Sequence, residues 1–336
     1  MLQLAMAARR VWIPFAIVVV IAIAGFMLVG DIHKVIDGVA NFQWWAFAAA
    51  LGLALANYAI RFVRWHYYLH HQGVRVPMAS SALVFGAGLS LSITPGKLGE
   101  LVKSYLLHEM HDVPIEKTAP IVVAERVSDL IALLCVAIIG VAVYGVAGTL
   151  VLSATAVIII GLVLLAWPRP TLWLIDLVTR PTRLARFREP LKRMYSGLAA
   201  LCRPKPLLIA TALATPAWLC ECVGFALIIN AFPHAPISTG LATVIYAGTT
   251  IAGALSFLPG GLGVTEAGMT YLLAQGAAHL DSQTALAATL LTRLATLWFA
   301  VVLGVAMLAM TRRRIVRLKA ARTNQQSAPN VAPLAS

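Results

Sequence analysis

The sequence predicts an all-α, polytopic integral membrane protein with about six full spans and two broken or re-entrant helices. Three observations predict this class. Hydrophobic residues make up 60% of the 336 residues and charged residues only 12%, which is about half the charged fraction of a soluble domain. Apolar runs long enough to cross about 30 Å of hydrocarbon recur along most of the chain. Because these runs are continuous rather than alternating, a transmembrane β-barrel is disfavoured.

The apolar runs define the predicted order of membrane segments. The full spans are predicted at 11–30, 44–68, 117–145, 149–167, 207–231 and 283–310. Segments 79–110 and 239–277 begin as apolar runs and are then interrupted by Pro-Gly clusters. Such a break exposes backbone groups that lipid cannot hydrogen-bond, so it is tolerated only inside protein or beside a watery cavity. We therefore predict a broken or re-entrant helix in each of these segments.

Basic residues concentrate beside apolar segments, at 9–10, 169–205 and 312–322. This is the pattern of the positive-inside rule rather than of a nucleic-acid footprint. If the N-terminus is cytoplasmic and both broken segments are re-entrant, all three basic clusters fall in the cytoplasm. We therefore expect a bacterial-type cytoplasmic (inner) membrane location, with both termini cytoplasmic. The first apolar run lacks an Ala-x-Ala cleavage site, which favours a retained signal anchor.

Two polar regions flank the later spans. The loop 168–206 contains short amphipathic pieces rich in Arg and Lys, and we expect it to lie on the cytoplasmic leaflet. The tail 312–336 is basic and then rich in Ser, Asn, Gln and Pro, which predicts disorder from about Thr323. The 4 cysteines and 8 histidines show no metal-ligand spacing, so we expect no metal, cofactor or redox role.

The strongest feature of the sequence is an internal repeat. Residues 91–100, LSITPGKLGE, match residues 255–263, LSFLPGGLG, which are followed by Glu266. Asn57 precedes Pro95 by the same 38 residues that separate Glu221 from Pro259. The chain therefore divides into a first repeat, 1–148, and a second repeat, 149–311. The predicted topology relates them by inversion, as in transporters with a midplane substrate site between repeats.

The Pro-Gly breaks are candidates for an anion site. A helix that starts inside the membrane presents unpaired N–H groups and the positive end of its dipole, which suit phosphate or carboxylate. Intramembrane arginines are costly unless paired, and guanidinium grips phosphate bidentately. The candidate substrate-binding residues are Arg61, Arg64, Pro95, Gly96, Lys97, Gly99, Glu100, Arg126, Pro259, Gly260, Gly261, Gly263, Glu266 and Arg293. Candidates for ion pairing or proton carriage are Asn57, Glu125, Asp129 and Glu221.

A structural interpretation of the same residues stays open. Glu125, Arg126 and Asp129 can form a buried salt-bridge network between helices. Arg61 and Arg64 can be snorkelling anchors at the cytoplasmic rim. The Pro-Gly breaks can be packed kinks of a duplicated scaffold. The clustering of charged groups at the breaks favours the functional interpretation.

These motifs resemble the flippase-like transmembrane region of lysylphosphatidylglycerol synthases, a family with stand-alone members, some associated with hopanoid lipid biosynthesis. The resemblance covers roughly residues 10–310. It rests on RFVRW at 61–65, PGKLGE at 95–100, ERVSD at 125–129, LPGGLGVTE at 258–266, and Arg293. It implies movement of a lipid between leaflets. Nothing substantial follows the last span, so we expect no aminoacyl transfer, and the cargo stays open.

The sequence therefore predicts a flippase that moves a phospholipid or other polar-headgroup lipid through a midplane polar cavity. We expect no enzyme activity and no nucleic-acid partner, and membrane lipids, anionic ones first, as ligands. No nucleotide-binding loop occurs in the sequence, so a lipid gradient or coupled ions must drive transport, with Glu100, Glu125 and Glu266 as candidate proton carriers. The alternatives are a membrane-embedded lipid-headgroup transferase or hydrolase, a non-catalytic partner of a lipid-synthesis complex, and a small-solute transporter. Product formation, a co-purified enzyme and uptake of a soluble substrate would distinguish them.

Overall fold

The computed structural model describes residues 41–144, 167–275 and 278–327, with a few helical positions between 152 and 163. The predicted span 11–30 and most of 149–167 lie outside the described residues. The helices are α1 Trp44–His71, α2 Met78–Leu89, α3 Val102–His111, α4 Ile115–Tyr144, α5 Pro168–Val178, α6 Thr182–Ala185, α7 Arg188–Leu201, α8 Pro204–Asn230, α9 Thr239–Leu255, α10 Val264–Ala274, α11 Ser282–Arg293 and α12 Phe299–Ser327. A 3₁₀ turn, Leu98–Leu101, precedes α3, and a π-helical turn, Leu294–Trp298, joins α11 to α12.

Three helical stretches within the described residues are long and apolar enough to cross a membrane: Trp44–His71, Pro204–Asn230 and Ser282–Ala320. They coincide with the predicted spans 44–68, 207–231 and 283–310. Helices α2 and α9 are shorter apolar helices. Each belongs to a segment that we predicted to be broken, so the apolar half of each broken segment is helical.

Helices α1 and α8 pack antiparallel along their length. Contacts recur at intervals of seven residues on both helices: Gln43 with Ala231, Ala50 with Gly224, and Asn57 with Ala217. A seven-residue recurrence is the signature of a left-handed helix pair. The seam is lined by alanine and glycine, and such small residues let membrane helices approach closely. Helix α8 also packs on α4 and α9.

The first break lies between α2 and the 3₁₀ turn. Gly96 and Lys97 both have positive φ, 57° and 55°, a conformation that glycine adopts without steric cost. Backbone groups freed by the break are bonded by neighbouring side chains. The Thr94 hydroxyl donates to the Leu91 carbonyl at 2.7 Å and accepts from the Gly99 amide at 2.7 Å. These bonds let a non-helical segment persist inside protein.

The second break lies between α9 and α10 and is built in the same way. Gly260, Gly261 and Gly263 have φ of 60°, 67° and 85°. The Ser256 hydroxyl donates to the Gly253 carbonyl at 2.7 Å. Both breaks therefore combine left-handed glycines with hydroxyl groups that bond the loosened backbone.

The two breaks touch each other. Pro95 and Pro259 form an isolated antiparallel bridge. A Cβ placed on Gly260 would lie 3.2 Å from Cγ1 of Ile93, and one placed on Gly96 would lie 3.6 Å from Cδ1 of Phe257. The repeated motifs of the two halves therefore meet in space, although 164 residues separate the two prolines in sequence.

The basic loop after Trp167 folds into α5, α6 and α7. Asp176 of α5 pairs with Arg188 at 3.4 Å and with Lys192 of α7 at 2.8 Å, and the hydrogen bond from Lys192 lowers the pKa of Asp176. Trp173 is exposed, as expected for an interfacial helix.

Helix α12 continues through the basic stretch to Ser327. We predicted disorder from Thr323, so the helix runs further than its polar composition indicated.

Candidate functional site

Eight ionisable side chains converge beside the first break. They are Arg61 and Arg64 of α1, Lys97 and Glu100 of the break, Lys103 of α3, and Glu125, Arg126 and Asp129 of α4. We call this set the charge cluster. Its five cations and three carboxylates leave a formal charge of +2. A buried excess of positive charge is costly unless an anion accompanies it.

Glu100 lies at the centre of the charge cluster and is buried. The Gly96-Lys97 turn leads into the 3₁₀ turn, which directs Glu100 towards α1 and α4. Its carboxylate lies 3.5 Å from Nη2 of Arg61, 3.3 Å from Nζ of Lys103 and 3.3 Å from Nη2 of Arg126. One carboxylate therefore holds cations from three helices together.

Lys103 is a member of the cluster that was not among the predicted site residues. Its ammonium group donates to Oε2 of Glu125 at 2.6 Å and lies 4.5 Å from the centroid of the Trp65 ring. The stem of Lys103 packs on Gly88, where a Cβ would lie 2.6 Å from Cγ of the lysine. Its position three residues after Glu100, in a largely apolar stretch, was the available signal.

Arg64 is wholly buried, with 0% of its surface exposed. Its Nη1 donates to Oδ1 of Asp129 at 2.7 Å and to the Ser128 hydroxyl at 3.1 Å. Its Nε and Nη2 are buried and have no hydrogen-bond partner among the described residues. Arg61 is 6% exposed. The interpretation of Arg61 and Arg64 as snorkelling anchors is therefore wrong, because both side chains are buried against charged partners, Glu100 for Arg61 and Asp129 for Arg64.

The charge cluster is most accessible at Arg126 and Lys97. The Arg126 side chain is 20% exposed, and its Nη2 lies 3.2 Å from Oδ2 of Asp129. Lys97 is half-buried and lies 5.6 Å from the centroid of the Trp218 ring. The Trp218 indole donates to Oδ1 of Asp129 at 3.1 Å. These two cations therefore form the exposed side of an otherwise buried cluster.

Arg293 and Glu266 form a separate pair that closes the second break. Oε1 of Glu266 accepts from Nε of Arg293 at 2.6 Å, and Oε2 accepts from the Gly263 amide at 2.7 Å. Nη2 of Arg293 donates to the Gly260 carbonyl at 2.8 Å. A Glu at the third position of α10 that bonds back to the preceding amide is half of a capping box. Unlike the charge cluster, this pair is charge-balanced.

A family comparison identifies the chain. The family described as Lysylphosphatidylglycerol synthase TM region matches residues 11–304. The chain belongs to this family. The resemblance inferred from the Pro-Gly motifs and their neighbouring arginines is confirmed. A search of curated proteins found no match.

Family membership and the three span-like helices together identify an integral membrane protein. Within this lysylphosphatidylglycerol synthase TM region, the predicted site residues fall into three places. The charge cluster contains seven of them: Arg61, Arg64, Lys97, Glu100, Glu125, Arg126 and Asp129. The contacts that close the second break involve Gly260, Gly263, Glu266 and Arg293. The α1–α8 pair contains Asn57 and Glu221. Pro95, Gly96, Gly99, Pro259 and Gly261 shape the breaks through their backbone.

We predicted a wet polar cavity between the repeats, and the described side chains of the charge cluster are instead in close contact. Two cavities of about 290 and 370 Å³ lie elsewhere, one in an apolar cleft of α5 to α7 and the other beside Arg312 and Arg317 of α12. In the part of the chain that the structure describes, no group of three His, Cys, Asp or Glu side chains is placed to hold a metal. The guanidinium and ammonium groups of the charge cluster are donors that suit an anion.

Proposed function

We propose that this protein moves a lipid with a phosphate-bearing headgroup between leaflets, and that the charge cluster binds the headgroup. The observation that carries the proposal is a buried cluster with a formal charge of +2 whose guanidinium groups have unsatisfied N–H donors. An anionic headgroup would balance this charge. Membership in a membrane family named for a phospholipid synthase supports a lipid as the ligand.

The geometry of the arginines suits phosphate. The Nε and Nη2 atoms of Arg64 form one edge of the guanidinium, and their N–H bonds point in parallel. Two parallel donors match two oxygens of a phosphate group. Nε of Arg126 is likewise buried and without a hydrogen-bond partner among the described residues. A headgroup would meet Arg126 and Lys97 first, because these cations are the most exposed.

We also infer that the two halves are related by inversion. Helix α1 is the repeat counterpart of α8, since Asn57 corresponds to Glu221, and the two helices run antiparallel. Pro95 contacts its own counterpart, Pro259, in an antiparallel bridge. When two repeats are related by a two-fold axis, equivalent residues of the repeats contact each other where they lie on that axis. In transporters built this way, one repeat rocks against the other and exposes the site to each side in turn.

A transporter fits these contacts better than a transferase or hydrolase. Each carboxylate of the charge cluster lies within 3.5 Å of a cation. Such pairing stabilises the ionised carboxylate, whereas general acid–base catalysis needs a group that exchanges protons readily.

We place both termini on the cytoplasmic side of an inner membrane because the basic loop and the basic end of α12 then both lie inside.

The proposal is tested with purified protein in vesicles that contain fluorescent phosphatidylglycerol. Arg126→Ala should slow the movement of lipid between leaflets about tenfold or more, because it removes charged hydrogen bonds of ~1.5–3 kcal/mol each. Arg126→Lys should keep part of the rate. The initial rate is measured by the quenching of fluorescence in the outer leaflet.

Arg193→Ala is the matched control for the lipid assay. Arg193 lies on α7, its side chain is 55% exposed, and its partner Glu116 is 3.4 Å away. We expect this variant to keep the full rate. The variants Arg293→Ala and Glu266→Gln are measured in the same lipid assay to test whether the second break also contributes to lipid movement. If Arg126→Ala moves lipid as fast as the unchanged protein, the charge cluster is not the headgroup site.

A further inference from the structure

Lys97 is the cation of the charge cluster that has no carboxylate partner among the described residues. The other four cations of the cluster each lie within 3.5 Å of a carboxylate oxygen. The ammonium group of Lys97 instead lies 5.6 Å from the centroid of the Trp218 ring. A cation without a counter-ion in a partly buried place is unfavourable. The excess positive charge of the cluster is therefore least compensated at Lys97.

The backbone of Lys97 is strained. Its φ of 55° lies in the left-handed region, which residues with a side chain rarely adopt. The Lys97 amide donates to the Thr94 carbonyl at 2.8 Å, and the Lys97 carbonyl accepts from the Glu100 amide at 3.0 Å, so hydrogen bonds hold the turn on both sides. Such strained residues persist only where the surrounding structure fixes them, and they cluster at ligand clamps and other functional sites.

The second repeat shows what the fold alone requires at this position. Gly261 is the counterpart of Lys97 in the matched strings, and its φ of 67° is close to that of Lys97. Glycine adopts this conformation without steric cost. Because the second break makes the same kind of turn with glycine, the turn itself does not require a lysine. The lysine side chain therefore adds both backbone strain and an uncompensated charge to the folded protein.

A headgroup with net negative charge would offset the cost of the uncompensated charge. Lys97 and Arg126 form the exposed side of the cluster, where a headgroup arrives. An ammonium group on the headgroup would be repelled by Lys97. It would also find the Trp218 face, which can bind ammonium groups, already facing the lysine. The Trp218 indole donates to Asp129 at 3.1 Å, so the ring is held in this orientation.

We infer that Lys97 makes the headgroup site selective for lipids with a net negative headgroup over lipids whose headgroup carries an amine. This inference rests on the proposed function. Lys97 supplies a charge that a phosphate balances and that an ammonium group opposes. The strain at Lys97 is then a loss of stability that serves selectivity, as is common where function needs a strained site.

The variant Lys97→Asn separates selectivity from stability. Asparagine tolerates the left-handed conformation better than lysine and carries no charge. In detergent without added lipid, the variant should therefore unfold at the same temperature as the unchanged protein or at a higher one. Calorimetry then compares the binding of short-chain phosphatidylglycerol, which has one net negative charge, with that of short-chain phosphatidylethanolamine, which has none. The unchanged protein should prefer phosphatidylglycerol by about tenfold or more, the effect of one charge-assisted contact, and Lys97→Asn should lose most of this preference.

Two further variants control for charge and for position. Lys97→Arg keeps both the charge and the strained backbone, so it should keep the preference for phosphatidylglycerol. Lys205→Asn removes the same charge from an exposed position in the first turn of α8. This control should also keep the preference, because Lys205 contributes only to the general attraction between basic surfaces and anionic lipid.

Fluorescent forms of the two lipids in vesicles extend the comparison to lipid movement. The unchanged protein should move phosphatidylglycerol faster than phosphatidylethanolamine, and Lys97→Asn should narrow the difference. A Lys97→Asn protein that keeps the preference would overturn the inference. So would one that unfolds at a clearly lower temperature or fails to fold, because the lysine would then serve folding. If the unchanged protein moves neither lipid, the proposed function fails, and the preference measured by calorimetry still decides the role of Lys97.

Discussion

Replacing Arg64 with methionine should destabilise the protein by about 3–5 kcal/mol, because removal of one partner of a buried pair leaves the other charge uncompensated. Nη1 of Arg64 lies 2.7 Å from Oδ1 of Asp129, and both side chains are buried. The methionine side chain extends into much of the same space as the arginine side chain but carries no charge. The loss is measured as a lower midpoint of thermal unfolding of the purified protein in detergent.

Two comparisons separate the charge effect from a packing effect. Arg193→Met removes a half-exposed cation from a surface pair, and such pairs contribute only about 0–1 kcal/mol. The double variant Arg64→Met with Asp129→Asn removes the stranded charge, so it should recover a large part of the stability. An Arg64→Met protein as stable as the Arg193→Met control would show that the pair is not buried in the folded state.

Replacing Gly304 with alanine should destabilise the packing of α12 on α2 by about 1–3 kcal/mol, as overpacking does in tightly packed interiors. A Cβ at this position would overlap the backbone nitrogen of Ser90 and lie 2.6 Å from the carbonyl carbon of Leu89. Backbone atoms cannot rotate away as a side chain can. The same thermal unfolding measurement detects the change.

Two other glycines serve as controls for Gly304. A Cβ placed on Gly52 of α1 would have no atom within 4 Å, so Gly52→Ala should stabilise its helix by about 0.5–1 kcal/mol. Gly86 faces the side chain of Met307, which can adopt another rotamer, so Gly86→Ala should cost less than Gly304→Ala. Equal stability of all three variants would contradict the close crossing of α2 and α12.

The membrane helices and their interruptions could be predicted because they depend on local properties. Apolar runs of sufficient length predicted the helices that now extend over Trp44–His71 and Pro204–Asn230. The Pro-Gly strings predicted breaks near Pro95 and Pro259, and the structure places left-handed glycines there. The family resemblance rested on the same strings and is confirmed. The inversion of the repeats stays a prediction, supported by the contact between the two prolines.

The partners of the charged groups could not be predicted, because they come from distant parts of the chain. Lys103 meets Glu125 across 22 residues, Arg64 meets Asp129 across 65, and Trp218 meets Asp129 across 89. Periodicity places each side chain on a helix face but does not say which face lies opposite. For the same reason the sequence left open whether Arg61 and Arg64 are anchors or buried residues.

From the sequence alone, the protein's membrane class, the position of its two interruptions and its family were determined. Each is a property of about 20 consecutive residues or of a short motif, since helix length and hydrophobicity decide what a segment does in a bilayer. The tertiary structure decided which charges gather beside the first break and which of them pair with one another. Those outcomes depend on distances between helices, because electrostatic pairing in a low dielectric changes steeply over a few ångströms.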